Sequence, residues 1–481
     1  MRLFPRLSTV VGVVLLSSAA RAQRAPGPRD TLRLSLPDAV ALAQRQGDEV
    51  QLSAAQVDLA DAQVGAARST GLPQLRINNS FTRTYESARG NAVGAVFNQP
   101  YSYAATASLS QALFQGGRIV SAARAASSVR AASRLDEQEV RATATMNVER
   151  AYLQALYSTR VAQLQDTNVS LATQRLAQVE QLLKAGRAAQ YDVLRAQVER
   201  GNLEPVAIQA HSDADLALLD LKRLVNLPIA QPIVLTTRVD AEPGDAILSQ
   251  VMAVADSLAR LTPDRASVRS AEQLARARHL GIAVARADLL PQLSIQLNSG
   301  FGAFPLLGGG FPTRRGSFDL SNCPATPAPS KPCYNGGWFP DRNLLVTFSI
   351  PVFDGLRAKA GIDLAQAQER VAQIQLQQQR EAVALEVARG RAEIDRVRSV
   401  FAARRQNTVA AQDAFRLASL RFERGLSTQL EVSDAQLALF TAQVGEARAT
   451  YDMYLAAAEM ARALGRPVPI VGSTPATSSF R

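Results

Sequence analysis

The feature that most constrains this chain is that its second half replays its first. Leu72-Pro73-Gln74-Leu75 returns as Leu290-Pro291-Gln292-Leu293, and Phe114-Gln115-Gly116-Gly117-Arg118 returns as Phe353-Asp354-Gly355-Leu356-Arg357. Gly186, followed by Tyr191-Asp192-Val193, returns as Gly425, followed by Leu430-Glu431-Val432. Each copy runs helix, strand, loop, strand, very long helix, sharp turn, helix. A fixed order repeated twice implies pseudo-symmetric halves of one architecture rather than the several separate domains that 481 residues could otherwise hold. The expected organisation is a signal segment at residues 1–22, a first repeat at 23–228, an equatorial linker at 229–262, a second repeat at 263–467 and a tail at 468–481. The tail's Pro, Ser and Thr content reads as mobile.

The first helix is expected from Leu36-Pro37-Asp38, where proline and an acid mark a first turn, to about Ser69, ahead of the Pro73 that disfavours helix in the residue before it. Gln74 to Glu86 then alternates, with Leu75, Ile77, Phe81 and Tyr85 opposite Arg76, Asn78, Ser80 and Thr82. Residues 101–113 form its partner, and 292–301 and 343–351 repeat the pair. Strands of about 10 to 13 residues can cross a bilayer obliquely, and their small hydroxyls and amides suit a wet lumen. An ordinary soluble sheet with one face on a core is the alternative. Four strands cannot close a membrane barrel, so a spanning version requires several chains to pool their strands.

The segments from Gly117 to Lys184 and from Arg357 to Arg424 lack proline and carry apolar residues at three- and four-residue spacing, so each is one helix of roughly 100 Å. The helices before the strands and after the turns are about half as long, so two stacked end to end match one long helix. The expected form is therefore a cylinder of antiparallel helices with strands at one end and the turns at Gly186 and Gly425 at the other. A short helix near Ile247–Leu261 is expected to belt its middle.

Met1–Ala22, with Arg2 and Arg6 ahead of an apolar run and Ala20-Arg21-Ala22 at the cleavage position, reads as a secretory signal peptide. No later run of 18 or so apolar residues could form a membrane helix. In an oxidising compartment Cys323 and Cys333, the only cysteines, are expected to pair, with two free thiols as the alternative. The net charge of +11 is spread along helical segments rather than gathered with aromatics, which argues against a nucleic-acid partner. His211 and His279 stand apart from one another and from cysteine or carboxylate clusters at ligand spacing, and no phosphate-binding glycine loop occurs, so neither catalysis nor a cofactor is expected.

Two stretches resemble a known family. Pro263-Asp264, Ser270-Ala271-Glu272-Gln273 and Ala285-Arg286-Ala287-Asp288-Leu289-Leu290-Pro291-Gln292-Leu293-Ser294 are similar to the run into a barrel strand in the TolC family of outer-membrane efflux proteins. Arg421-Phe422-Glu423-Arg424-Gly425-Leu426-Ser427-Thr428, with Leu430-Glu431-Val432-Ser433-Asp434-Ala435-Gln436, resembles that family's periplasmic-tip signature. The resemblance implies a mainly α fold with a β-barrel part: a homotrimer with a 12-stranded outer-membrane barrel among lipid and a long helical periplasmic tunnel. It further implies a passive export channel of a tripartite efflux or type I secretion system, served by a periplasmic adaptor and, through it, an inner-membrane pump. A coiled-coil adaptor is the other reading, but adaptors carry one helical hairpin beside small β-domains, whereas this chain has two hairpins and four amphipathic strands.

By the same resemblance Glu431 and Asp434, with Asp192 as first-repeat counterpart of Glu431, line the periplasmic aperture. Three chains would then crowd like charges and attract cations. A solvated helix face is the bland alternative. Arg195 stands where the first repeat would match Asp434, and Ser427 where some relatives carry a basic latch residue. Gly186, Gly425, Arg421, Leu426 and Ser427 form the expected tip and adaptor-docking surface, although each glycine is equally explained as a helix cap.

Overall fold

The computed structural model describes residues 31–86, 101–237, 249, 265–305, 311–317 and 337–465. The expected signal segment, the belt helix apart from Ser249, the tail and the Cys323–Cys333 pair lie outside these residues. Among them the order is β1 (Leu32–Leu34), α1 (Leu36–Gln46), α2 (Asp48–Ser69), β2 (Gln74–Arg83), β3 (Tyr101–Gln115), α3 (Arg118–Lys184), α4 (Gln190–Leu224) and β4 (Ile233–Leu235). There follow α5 (Ala266–Arg286), a single 3-10 turn, β5 (Gln292–Ala303), β6 (Trp338–Ser349), α6 (Arg357–Glu423) and α7 (Gln429–Ala463).

Helices α3 and α6 have 67 residues each, and α4 and α7 have 35 each. At 1.5 Å per residue the long pair spans about 100 Å. The wall is built in columns. Helices α5 and α7 both lie between α3 and α6, while α1, α2 and α4 lie on the other side of α3. Short helices stack end to end within a column. The Asn226 amide, just past α4, donates to Gln46 O and Asp48 Oδ1 at the α1–α2 junction, at 3.0 and 3.1 Å. Gly465, just past α7, approaches Arg265 at the head of α5.

The long helix expected from Leu36 to Ser69 is instead two, α1 and α2, because Gly47 leaves the helical region (ψ 133°). Glycine is the weakest ordinary helix former, and the Gln46 side chain closes the break by donating to Val225 O at 2.9 Å. Sequence patterning also gave no sign of β1 and β4, three residues each, which pair in parallel from Leu32↔Ile233 to Leu34↔Leu235. Their register is held by Tyr152 of α3, fully buried, whose hydroxyl donates to Leu34 O at 2.8 Å and accepts from Thr237 N at 3.2 Å.

The main apolar core surrounds this point. It draws Leu36 from α1, Val148 and Leu153 from α3, Leu221 from α4, Ile394 and Val397 from α6, and Met453, Tyr454 and Met460 from α7. The core thus sits at the waist of the wall rather than at either end. A charged set stands close by in sequence: Arg265, 4% exposed, donates to Glu139 of α3 through Nε (3.1 Å) and Nη2 (2.5 Å) and also pairs with Glu386 of α6. Arg462 of α7 pairs with the same Glu386 and lies 3.7 Å from Glu139. Two guanidiniums and two carboxylates therefore tie four helices. In α3, burial pushes the Glu149 carboxyl up to about 7.

The remaining strands form one antiparallel sheet in the order β2-β3-β5-β6, whose edges β2 and β6 are unpaired among the described residues apart from a bridge between Arg315 and Trp338. Strand β6 begins at Trp338 rather than near residue 343, because Phe339, Pro340 and Asp341 continue the pairing with Gly302, Phe301 and Gly300 despite their broken polarity pattern. Register sorts the two faces. Leu75, Leu109, Leu297 and Leu344 line up across one, while Arg76, Ser108, Asn298 and Asn343 line up across the other. The apolar face is largely exposed, with no helix over it among the described residues. Among the described residues no helix is long and apolar enough to cross a membrane.

Candidate gate at the helical tips

Both tips end a long helix in the same way. Gly186 and Gly425 adopt φ 73°, which an L side chain rarely takes, and so reverse the chain. At the first tip the N–H of Gly186 donates to Leu183 O and that of Arg187 to Leu182 O. At the second, Gly425 N–H donates to Phe422 O and Leu426 N–H to Arg421 O, all at 2.8–2.9 Å. These paired bonds satisfy the last carbonyls of each helix.

The two return helices start differently. In α4 the N-cap is Ala189, which lacks a side-chain acceptor, so Asp192 supplies the polar cap: its Oδ2 accepts from Ala189 N at 3.0 Å. In α7 the N-cap is Thr428, whose hydroxyl accepts from Glu431 N at 3.4 Å and leaves the Glu431 carboxylate uncommitted. Glu431 and Asp434, one helical turn apart, are exposed on one side of α7, whereas Gln429, Val432 and Gln436 are buried on the other. Neither carboxylate has an ion-pair or hydrogen-bond partner among the described residues. Asp192 holds its own cap, whereas Glu431 and Asp434 are without a side-chain partner among the described residues.

At the turn itself Leu426 is 67% exposed and Arg421 reaches back to Leu426 O at 3.4 Å. Ser427 is partly buried and its hydroxyl donates to Ala418 O at 3.3 Å. Arg195 is partly buried on α4.

Sequence reasoning missed what joins the hairpins. Arg175 of α3, 8% exposed, donates from Nη1 to Ser433 Oγ at 2.9 Å; Ser433 in turn donates to Glu199 Oε2 of α4 at 2.9 Å, and Arg175 lies 3.5 Å from Glu199. Burial pulls the Arg175 guanidinium below the usual arginine range, and the Glu199 charge opposes that shift. One turn further on, Gln436 donates to Asn168 Oδ1 at 2.5 Å. The available signal was an arginine on the face of α3 that also carries Ala172, Leu176 and Val179. It could be read as a buried charge needing an acid, but not as one needing Ser433 258 positions away. The histidines are likewise cross-helix pairs: His211 Nε2 lies 2.9 Å from Asp166, and His279 Nδ1 lies 2.8 Å from Glu369.

The two hairpins are thus tied by buried polar contacts, and the second bears two acids without a partner among the described residues. Residues 40–227 and 258–466 match a family model described as outer membrane efflux protein. Outer membrane protein OprJ of Pseudomonas aeruginosa is 28% identical over 204 residues, 42% of this chain and 37% of that protein, so the match spans well under half of OprJ. The pyoverdine export outer membrane protein OpmQ of Pseudomonas putida is 26% identical over 462 residues, covering 93% of this chain and 90% of that one. The outer membrane channel CmeC of Campylobacter jejuni shares the fold, with a TM-score of 0.70 at 17% identity over 89% of this chain and 85% of that one.

Proposed function

The chain belongs to the outer membrane efflux protein family, and from that premise we propose that it is one subunit of a homotrimeric export channel whose periplasmic end is gated at the helical tips. The observation that carries the reading is the sheet: four strands, apolar on one exposed face and polar on the other, with both edges open, joined to a helical wall about 100 Å long. Open strand edges are not tolerated in hydrocarbon, so the sheet must close with copies of itself. Three copies give a 12-stranded barrel with the polar face turned to a wet lumen. The equal lengths of α3 and α6, and of α4 and α7, support two repeats forming matched halves of each wall segment. The family is one of transport proteins, and a coiled-coil adaptor would have no use for such a sheet.

In this reading the channel is passive. A pump in the inner membrane supplies energy, and an adaptor docks on the exposed tip around Gly186, Gly425, Arg421, Leu426 and Ser427. Three copies of Glu431 and Asp434 form an acidic ring that favours cations at the closed aperture. Opening moves the α6–α7 hairpin away from α3 and α4, which breaks the Arg175–Ser433–Glu199 relay and exchanges its bonds for bonds to water.

Planar-bilayer recording on the detergent-extracted protein tests this. The native mass should be that of three chains, and Glu431→Gln with Asp434→Asn should weaken cation preference or raise conductance. A conducting trimer indifferent to both substitutions would remove these acids from the constriction. A soluble monomer would end the channel reading.

A further inference from the structure

The outward face of the sheet changes character at the end far from the helices. Near the helices it is aliphatic, with Leu75, Leu109, Leu297 and Leu344. At the far end it becomes aromatic and cationic. Phe81 lies against Tyr103, with ring centroids 4.9 Å apart, and Phe311 meets both Tyr103 (5.5 Å) and Trp338 (5.6 Å). Segment 311–317 is fastened there: Trp338 Nε1 donates to Pro312 O at 2.7 Å, Trp338 N donates to Arg314 O at 3.0 Å, and Gly316 N donates to Trp338 O at 2.7 Å.

Between this strap and the strands lies a groove of about 1340 Å³, lined by these rings and by Arg314 and Arg342. Arg83 stands beside it, stacked over Tyr85 and Tyr101 at 4.8 and 5.8 Å. None of Arg83, Arg314 and Arg342 meets a carboxylate among the described residues. Asp341, next to Arg342 in sequence, falls on the opposite face by register.

Resting on the channel reading, in which this face meets lipid and the helix-distal end lies in the outer leaflet, we propose that the groove binds an acylated lipid whose headgroup carries more than one phosphate. The guanidiniums would hold the phosphates by charge-assisted hydrogen bonds, and the rings would receive the upper part of the acyl chains. Charge complementarity selects the occupant. A zwitterionic headgroup brings a cation that these arginines repel, and a single phosphate leaves part of the set unmatched. Aromatic rings at this depth suit any bilayer, whereas three arginines that meet no carboxylate among the described residues suit a polyanionic one.

Trp338 is the chain's single tryptophan, so its fluorescence reports the groove directly. The full-length protein in phosphatidylethanolamine vesicles is titrated with lipid A, a bis-phosphorylated acylated disaccharide, and separately with phosphatidylglycerol. Lipid A should give a saturable change in emission that phosphatidylglycerol does not reproduce. The Arg83→Gln, Arg314→Gln, Arg342→Gln triple variant should shift the midpoint by about a hundredfold, at roughly fivefold per arginine. Arg76→Gln, on the lumen face, should leave it in place.

An unchanged midpoint in a triple variant that still conducts would overturn the assignment. So would phosphatidylglycerol matching lipid A, since that would reveal a general anionic surface. Protein that gives no conductance in the same bilayers fails the channel reading, a result distinct from a conducting protein that ignores lipid A.

Discussion

The waist and the tips of the helical wall are held in opposite ways. At the waist, a dense core of Tyr152, Ile394, Met453, Tyr454 and Met460 surrounds a short parallel strand pair, and four helices share the Arg265, Glu139, Glu386 and Arg462 charge set. Near the tips the buried apolar cluster shrinks to Leu176, Val179, Val193 and Ala196, and the link between hairpins rests on the Arg175–Ser433–Glu199 relay and the Gln436–Asn168 bond. Apolar burial supplies free energy that hydration cannot replace, whereas hydrogen bonds and ion pairs, the Arg175–Glu199 pair among them, can be exchanged for water. On the channel reading proposed above, such a wall would stay assembled at its middle while its end opens.

The sharpest way to break that contrast is at the waist. Arg265→Ala removes the buried member of the charge set, leaving Glu139 and Glu386 with Arg462 alone, and should cost about 3 kcal/mol in denaturant unfolding of the detergent-solubilised protein. A loss below about 1 kcal/mol would show that the charge set is not what fixes the four helices.

A second waist effect depends on pH. Burial pushes the Glu149 carboxyl from its ordinary 4.5 up to about 7 on folding, so the folded chain binds the proton more tightly. That stabilisation is complete below pH 4.5 and is lost as pH rises through 7. Glu149→Gln should therefore flatten the dependence of the melting temperature on pH across this window and gain up to roughly 3 kcal/mol at pH 8 relative to the native chain. A slope that persists unchanged in the variant would assign the titration to another group.

At the tips the effects on stability shrink while those on function grow. Gly425→Ala and Gly186→Ala each force a non-glycine residue to φ 73° and should cost about 1 kcal/mol. Ser433→Ala should cost about 1 kcal/mol or less, yet raise the open probability in bilayers, because the hydroxyl bridges Arg175 and Glu199. Lower open probability, or a stability loss like that of Arg265→Ala, would contradict a weak tie at the gate. The smallest expected effect separates the two tips. Asp192→Asn weakens an α4 cap by about 0.5 kcal/mol with little change in ion preference, while Glu431→Gln should do the reverse. Equal changes in ion preference would place Asp192 in the aperture as well.

Much of this molecule is legible in its residues. Proline-free stretches with three- and four-residue apolar spacing gave helices of nearly the observed bounds, and alternation gave the two faces of all four sheet strands. The turns followed from Gly186 and Gly425 because few residues besides glycine tolerate that backbone region. What stayed hidden were contacts between elements far apart in sequence. The three-residue strands β1 and β4 are too short to show a period, and their pairing depends on Tyr152 brought from another helix. Asp192 and Glu431 occupy matching positions, but their different roles follow from whether an alanine or a threonine stands three residues earlier.

The sequence by itself determined the long helices, the glycine turns between them and which strand face is apolar, because these depend on backbone preferences and local periodicity. Only the tertiary structure decided which charges neutralise one another, which acids stay free and where segment 311–317 is fastened to the sheet. Those outcomes depend on side chains hundreds of positions apart reaching hydrogen-bond distance, which packing of the columns and register of the strands fix, and which local pattern does not encode.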